Sequence, residues 1–391
     1  TISGALGKID TSLEEASRMS GAGPLRTLID VTLPLITPAI LASSLLAFVG
    51  CISNFGIPAL LGFRARFFVL TTRIYSALAI PDMTLATAMA VLLAVTAGIP
   101  LLLAKRLERR SGKFTVISGK SVRPQTIKLG IWRIPIFAVV LTIALFAGVV
   151  PLLSMIITSF LTYWGAPLNS ANMTFDHYKY ILNLPMAVRA FRNSAFLATL
   201  AATITMFIGA LVSYMSLRAK MKGAKVLDFM GTIPYAVPCV MVAIAMILAW
   251  SKPPLVLYGT IWVILAAYLV RYMPFSIRTT NATLQQVHFS LEEAARVSGA
   301  GWAQTMKDVV LPLIKPGLVA GWILVFMPAL RELTISVLLW SQGAETLGVV
   351  IYNMQDAGYT QIAAALSTVV LFVILSGNAI VRKLSKGEIT I

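Results

Sequence analysis

Long apolar stretches alternate with short polar ones along this chain. Residues 31–63, 83–104, 134–175, 193–217, 229–251, 253–270 and 357–381 contain no Asp, Glu, Lys or Arg, and 316–344 is interrupted only by Arg331-Glu332. Each stretch is near or above the ~20 apolar residues that carry a helix across a bilayer. The pattern therefore predicts an all-α membrane protein with about eight transmembrane helices. Pro58, Pro151, Pro234 and Pro238 lie inside these stretches. They do not oppose the reading, because neighbouring helices can satisfy the backbone groups that a proline frees.

The polar stretches show a repeat. "SLEEASRMSGAG" at 12–23 returns as "SLEEAARVSGAG" at 290–301, and 13–38 matches 291–316 at 17 of 26 positions. With one gap the match continues through Leu70/Leu347, Tyr75/Tyr352 and Ala86/Ala363, to Lys105-Arg106 opposite Arg382-Lys383. An even number of spans separates the copies, so they run parallel, a recurring plan among transporters. Three parts follow: 1–104 as the C-terminal part of the first repeat, 105–133 as a basic linker, and 134–391 as a complete six-span second repeat. Thr1 aligns with Thr279, so the first repeat is expected to be N-terminally incomplete by the four spans that 134–278 supply to the second. Within the second repeat the expected order is span 134–158, outer loop 162–183, span 192–217 and a basic turn. A hairpin of spans 229–250 and 257–277 comes next, then the polar segment 278–315 and spans 316–340 and 358–381.

Composition agrees with a membrane protein. The chain is 58% hydrophobic and 12% charged, with a mean hydropathy of +0.84, against about 25% charged residues in a soluble domain. The net charge of +17 raises nucleic-acid binding, but the charge is distributed otherwise. Starting with the repeated polar segment in the cytoplasm and alternating through the spans puts 24 of the 32 Lys and Arg inside. Nine of these lie in 105–133 alone. That is the positive-inside pattern, assisted by anionic lipid, and it leaves no nucleic-acid partner to infer. Arg64, Arg66 and Arg73 fall outside as mild violations.

Candidate chemistry is sparse. Cys51 and Cys239 sit in apolar context without CxxC spacing, and His177 and His288 stand alone. They read as packing residues and isolated imidazoles, with no metal site. "ISGKS" at 117–121 has the ending of a phosphate loop, but Phe114 stands where its first glycine belongs, so this chain is not read as an ATPase. No Ser/His/Asp constellation points to an enzyme, and no cofactor is expected on this chain.

The repeated segment carries the strongest local signal. Ser290-Leu-Glu-Glu293 and Ser12-Leu-Glu-Glu15 have capping-box spacing. Leu291, Ala294, Ala295 and Ser298 then share one face of a helix about two turns long, which Gly299 and Gly301 are expected to end. A helix this short is marginal alone, so something must pack on it. Its face is built of small residues, not the Trp, Phe and Leu of an interfacial anchor, which favours docking into a groove of another protein.

Here a family resemblance becomes specific. Glu293-Ala294-Ala295, Gly299, Val309 and Leu311-Pro312 resemble the signature loop of binding-protein-dependent ABC importer permeases. So do Glu15-Ala16, Gly21, Val31 and Leu33-Pro34, with Ser17 in place of the second alanine. The resemblance implies the type I permease fold and a coupling helix seated in an ATP-binding cassette subunit. Glu14, Glu15, Ala16 and Gly21 would then contact one ATPase copy, and Glu292, Glu293, Ala294 and Gly299 a second. ATP and Mg would reside on those partners. It also implies a substrate-binding protein, a bacterial cytoplasmic (inner) membrane location and a cytoplasmic C-terminus.

"NFGIPALLGFRARFFVLTTRIY", "FMPALRELTISVLLW" and "ETLGVVIYNMQDAGY" look most like the iron(III) group of fused two-unit permeases. Thiamine, aminophosphonate, polyamine and sulfate remain alternative cargoes. A secondary transporter, which would call for buried acidic relays, has only Glu332 to offer. Arg331 and Glu332 are expected inside a span, and with Asn54, opposite Glu332 in the repeat, they are the candidate substrate path.

Overall fold

The computed structural model describes residues 2–7, 9, 11–111, 130–219 and 221–384. Most of the basic linker expected at 105–133 (residues 112–129) lies outside these, as do residues 385–391. Regular structure is helical, and the one β contact among the described residues is an isolated bridge between Leu161 and Met173.

The chain resolves into two compact units, residues 1–53 with 92–149 and residues 54–91 with 150–391. In order, the helices of the first repeat are α1 (Ile2–Leu6), α2 (Thr11–Met19), α3 (Pro24–Ile52), α4 (Gly56–Gly62), α5 (Leu70–Ala79) and α6 (Met83–Ser111). Then come α7 (Gly130–Phe160), α8 (Asp176–Asn183), α9 (Pro185–Leu217), α10 (Ala224–Thr232), α11 (Cys239–Trp250) and α12 (Ile261–Gln286). The chain continues with α13 (Ser290–Val297), α14 (Trp302–Leu330), α15 (Ser336–Leu339), α16 (Leu347–Asp356) and α17 (Thr360–Leu384).

The duplication is visible in backbone detail. α3 and α14 each run 29 residues. Each loosens into a wider π turn at the same register, Leu28–Thr32 in one and Met306–Val310 in the other. Each stops at the equivalent position, Ile52 or Leu330, and a short helix follows, α4 or α15. Then come the paired helices α5 and α16, and the long α6 and α17.

Among the described residues seven helices are long and apolar enough to cross a membrane: α3, the 83–100 part of α6, α7, α9, α12, α14 and the 360–379 part of α17. The eighth expected span, 229–250, is not one helix. It is α10, a 3-10 turn at Ile233–Ala236 and then α11. Pro234 and Pro238 bracket the break, and each removes an amide that a continuous helix would use.

Three further boundaries differ from the expectation. The segment 162–183 is not all loop, because α8 forms within it, and α9 begins at Pro185 rather than 192. The charge-free criterion stopped at Arg192, whereas a proline in the first turn is well suited to opening a helix. Span 316–340 ends at Leu330, so Arg331 and Glu332 lie after α14 and not within it. Cys51 is exposed, not packed, while Cys239 is buried.

The centre of the larger unit is the packing of α9, α12 and α14. Small residues let α9 approach α12 closely: a methyl added at Gly209 would lie 2.8 Å from Ser276 Cβ and 3.0 Å from the Ile277 amide nitrogen. Ala198, Ala201 and Ala202 of α9 are fully buried, as are Val263, Ile264 and Ala267 of α12. Small residues at helix contacts are the usual means of association in lipid, where apolar burial alone drives little.

Candidate functional site

The two copies of the repeated helix end identically. In α13 Gly299 adopts φ +87°, the Ala300 amide donates to the Ala295 carbonyl at 3.0 Å, and the Gly299 amide to the Arg296 carbonyl at 3.0 Å. In α2 Gly21 has φ +87°, with Ala22 donating to Ser17 at 3.1 Å and Gly21 to Arg18 at 2.9 Å. This is a Schellman closure, whose left-handed residue favours glycine. Gly301 does something else: at φ −68° and ψ 169° it opens α14.

The helix start departs from the capping box. Phe289 is the N-cap of α13, and its carbonyl accepts from the Glu292 amide at 3.0 Å and the Glu293 amide at 3.3 Å. The Ser290 hydroxyl lies 2.8 Å from His288 Nδ1. The helix thus begins one residue earlier than the spacing suggested, and His288 takes the serine that would have capped it.

The two adjacent glutamates divide their roles. Glu292 is buried, whereas Glu293, Leu291, Ala294 and Ser298 are exposed. Val297 is 88% exposed, and its counterpart Met19 is 90% exposed. In α2 the same faces recur: Glu15, Ala16 and Ser20 point out, while Glu14 and Ser17 are partly buried. Each repeat therefore presents a short, rigidly closed helix with a small-residue face left open.

The inward glutamates are held differently. Glu292 Oε1 lies 3.3 Å from Arg218 Nε, and the Tyr214 hydroxyl lies 3.5 Å from Glu292 Oε2. Arg218 also donates to the Leu284 carbonyl at 2.7 Å and to the Val287 carbonyl. Trp302 Nε1 donates to the Tyr214 hydroxyl at 3.1 Å. One guanidinium at the end of α9 thereby ties down the end of α12 and the start of α13. In the first repeat Glu14 instead accepts from Thr32 Oγ1 at 2.7 Å, and Ser17 and Thr27 hydroxyls meet at 3.2 Å. Val310 stands at the position equivalent to Thr32.

The path candidates share a local role. The Asn54 side-chain oxygen accepts from the Ile57 amide at 3.3 Å, and Glu332 Oε1 from the Ile335 amide at 3.0 Å. These are equivalent positions in the repeat, each satisfying a backbone donor where the chain turns into its short helix. Glu332 Oε2 also accepts from the Tyr272 hydroxyl at 3.0 Å. Arg331 is exposed and forms no described ion pair with Glu332.

Beyond these breaks, the repeats meet. Phe55 is fully buried, with ring centroids 5.0 Å from Tyr75 and 5.5 Å from Tyr352. At the end of α9 away from Arg218, Arg189 Nε pairs with Glu345 Oε2 at 3.0 Å. Asn193 Nδ2 donates to the Gly343 and Glu345 carbonyls, both at 3.0 Å. Burial alone would raise the Glu345 carboxyl, but the amides of Gly343 and Glu345 and the Arg189 guanidinium hold it below its ordinary value.

Sequence patterning does not reach Arg218, Tyr214, Arg189 or Glu345, since their partners lie 66 to 156 residues away. The available signal was that Arg218 is the first charge after a charge-free span. No group of three or more His, Cys, Asp or Glu among the described residues is placed to hold a metal ion.

Residues 1–113 and 205–388 match the family described as binding-protein-dependent transport system inner membrane component. The ferric transport system permease protein FbpB of Actinobacillus pleuropneumoniae is 27% identical over 387 residues, covering 96% of this chain and 54% of that protein. The Fe(3+)-transport system permease protein FbpB 2 of Haemophilus influenzae is 27% identical, covering 96% of this chain and 71% of its own length. The spermidine/putrescine transport system permease protein PotC of Escherichia coli K12 is 24% identical over 61% of this chain and 91% of its own. This chain spans about half the length (54%) of the first curated relatives it matches. The fold is similar to that in a crystal structure of a bacterial ABC transporter importing alginate. That likeness has TM-score 0.52 and 17% identity, covering 65% of this chain and 97% of that one. On the strength of that family match over most of its length, this chain belongs to the binding-protein-dependent transport system inner membrane components.

Proposed function

We propose that this chain is a membrane-spanning permease part of an ATP-driven importer in a bacterial inner membrane. α2 and α13 each dock on an ATP-binding cassette subunit, which carries ATP and Mg and performs the hydrolysis. A substrate-binding protein delivers cargo at the opposite face, and the C-terminus lies in the cytoplasm. The observation that carries this reading is the pair of equivalent helices, each closed at a φ +87° glycine and each leaving its outer face open. Two equivalent plugs suit a partner that offers two equivalent grooves.

Ferric iron is the proposed cargo, supported by relatives named for ferric transport that align along almost the whole chain. The polyamine relative supports a second reading in which the same machinery carries an organic cation. Asn54, Arg331 and Glu332 are proposed to border the path, where α3 and α14 both break. Affinity purification of the tagged protein from mild detergent tests the first claim, with a co-purifying ATP-binding subunit as the expected result. Uptake of radiolabelled iron against labelled spermidine by reconstituted vesicles separates the two cargoes.

A further inference from the structure

α9 is fastened by buried polar groups at both ends. At one end Arg218 holds Glu292, whose side chain is 1% exposed, and braces the Leu284 and Val287 carbonyls. At the other, Arg189 holds Glu345, whose side chain is 4% exposed. There Asn193 holds the Gly343 and Glu345 carbonyls, and Ser194 Oγ accepts from the Leu347 amide at 2.8 Å. Leu347 is the first residue of α16, and Tyr352 follows on that helix to meet Tyr75 and Phe55.

Between its anchors α9 has no proline at which to kink. The 29 residues from Arg189 to Arg218 span roughly 43 Å as helix. α12 and α14 carry interior prolines, Pro274 in one and Pro312, Pro316 and Pro328 in the other, whereas the only proline of α9 is in its first turn. Proline is the commonest cause of a sharp kink. Gly209 could loosen the helix, but it lies against the Ser276 and Ile277 backbone. The Arg218–Glu292 pair is buried and resists separation, because parting it leaves an uncompensated charge, whereas at the other end Glu345 is buried and Arg189 is partly exposed.

We infer that α9 transmits displacement of α13 to the Tyr75–Tyr352 contact between repeats, with Arg218 and Arg189 as the positioning residues that fasten its two ends. The inference rests on the permease reading above. It follows from contiguity: α13 to Glu292, Arg218, α9, Arg189, Glu345, α16 and Tyr352.

The test uses the transporter assembled with its ATP-binding subunits and binding protein in lipid nanodiscs. Tyr75→Cys and Tyr352→Cys, in a Cys51→Ser, Cys239→Ala background, report the contact by cross-linking with a short bifunctional thiol reagent, with and without ATP and vanadate. The parent should change its cross-linking yield with nucleotide. Arg218→Met and Arg189→Met should each reduce that change at least about five-fold, a typical lower bound for coupling between sites. The yield without nucleotide should stay at the parent's level in both variants, which a merely structural loss of the contact would not leave. If Arg218→Met fails to assemble, Arg218→Lys decides, since it keeps the charge but not the forked contact with the two carbonyls. A full nucleotide response in whichever Arg218 variant assembles would overturn the inference while leaving the permease reading intact. Absence of any nucleotide response in the parent, together with no bound ATPase subunit, would overturn both.

Discussion

Tyr75 and Tyr352 occupy the same position in the two repeats, and they touch, with ring centroids 6.2 Å apart and planes at 82°. Phe55 fills the space beside both. Its own counterpart, Leu333, comes within 3.0 Å of where a side-chain carbon on Gly56 would sit. The duplication therefore places equivalent residues of the two repeats against each other here, with one aromatic exchanged for an aliphatic. Truncating a buried phenylalanine typically costs about 3–5 kcal/mol. Phe55→Ala should therefore lower the melting temperature of the detergent-solubilised protein clearly, while Phe55→Leu, which mimics the other repeat, should lower it much less. Differential scanning fluorimetry of the two variants checks this.

The glycines that close α2 and α13 give a second expectation. At Gly21 and Gly299 nothing lies within 4 Å of an added methyl, so space does not require glycine there. Backbone conformation does: an L-residue in the left-handed region costs roughly 1–2 kcal/mol, and asparagine tolerates that region better than most. Gly21→Val with Gly299→Val should therefore weaken stimulation of ATP hydrolysis and transport. Gly21→Asn with Gly299→Asn should retain most of both. Equal loss in the two double variants would point to a contact at the glycine itself instead of helix closure.

These two cases show what patterning along the chain can carry. Gly299, the two-turn helix before it and the matching helix at Gly21 were legible, because capping and periodicity are local. The start of the helix was misread, because His288 competes for Ser290 through a side-chain contact that spacing does not encode. Arg331 and Glu332 read as inside a span, since an apolar window cannot show that α14 stops at Leu330 and that Glu332 accepts from the Ile335 amide just before the next helix. Arg189 and Arg192 shortened α9 in the same way: a charge looked like a boundary, although Arg189 is neutralised by Glu345, 156 residues further on. Which of two adjacent glutamates turns inward was also out of reach, because it depends on Arg218.

Glu345 makes stability depend on pH in a definite direction. Its carboxyl titrates below its ordinary value in the folded protein, so the unfolded chain binds a proton first as pH falls. The stabilisation is present above the unfolded value of about 4.3 and is lost as pH drops through the lower folded value. Wild type should thus exceed Glu345→Gln in thermal stability at pH 7, and the gap should close below about pH 4. Melting curves of both proteins between pH 3.5 and pH 8 measure it. A gap that widens on acidification would mean that burial, not the Arg189 contact, governs this carboxyl.

Glu332 allows its structural and transport roles to be separated. Its carboxylate accepts from the Ile335 amide and the buried Tyr272 hydroxyl, both at 3.0 Å. Glutamine keeps an acceptor oxygen at nearly the same place and removes the charge, whereas alanine leaves both donors without their acceptor, at about 1–3 kcal/mol for a buried group. Glu332→Ala should therefore reduce the yield of folded protein, while Glu332→Gln should assemble at close to wild-type level. Asn54 performs the corresponding task in the first repeat with a neutral amide, so the cap alone does not require a charge. If the Glu332 charge serves cargo passage, Glu332→Gln should cut iron uptake by reconstituted vesicles well beyond any loss of assembly. Uptake at the wild-type rate in Glu332→Gln would reduce Glu332 to what Asn54 already is, a side chain that satisfies a backbone amide where the chain turns into its short helix.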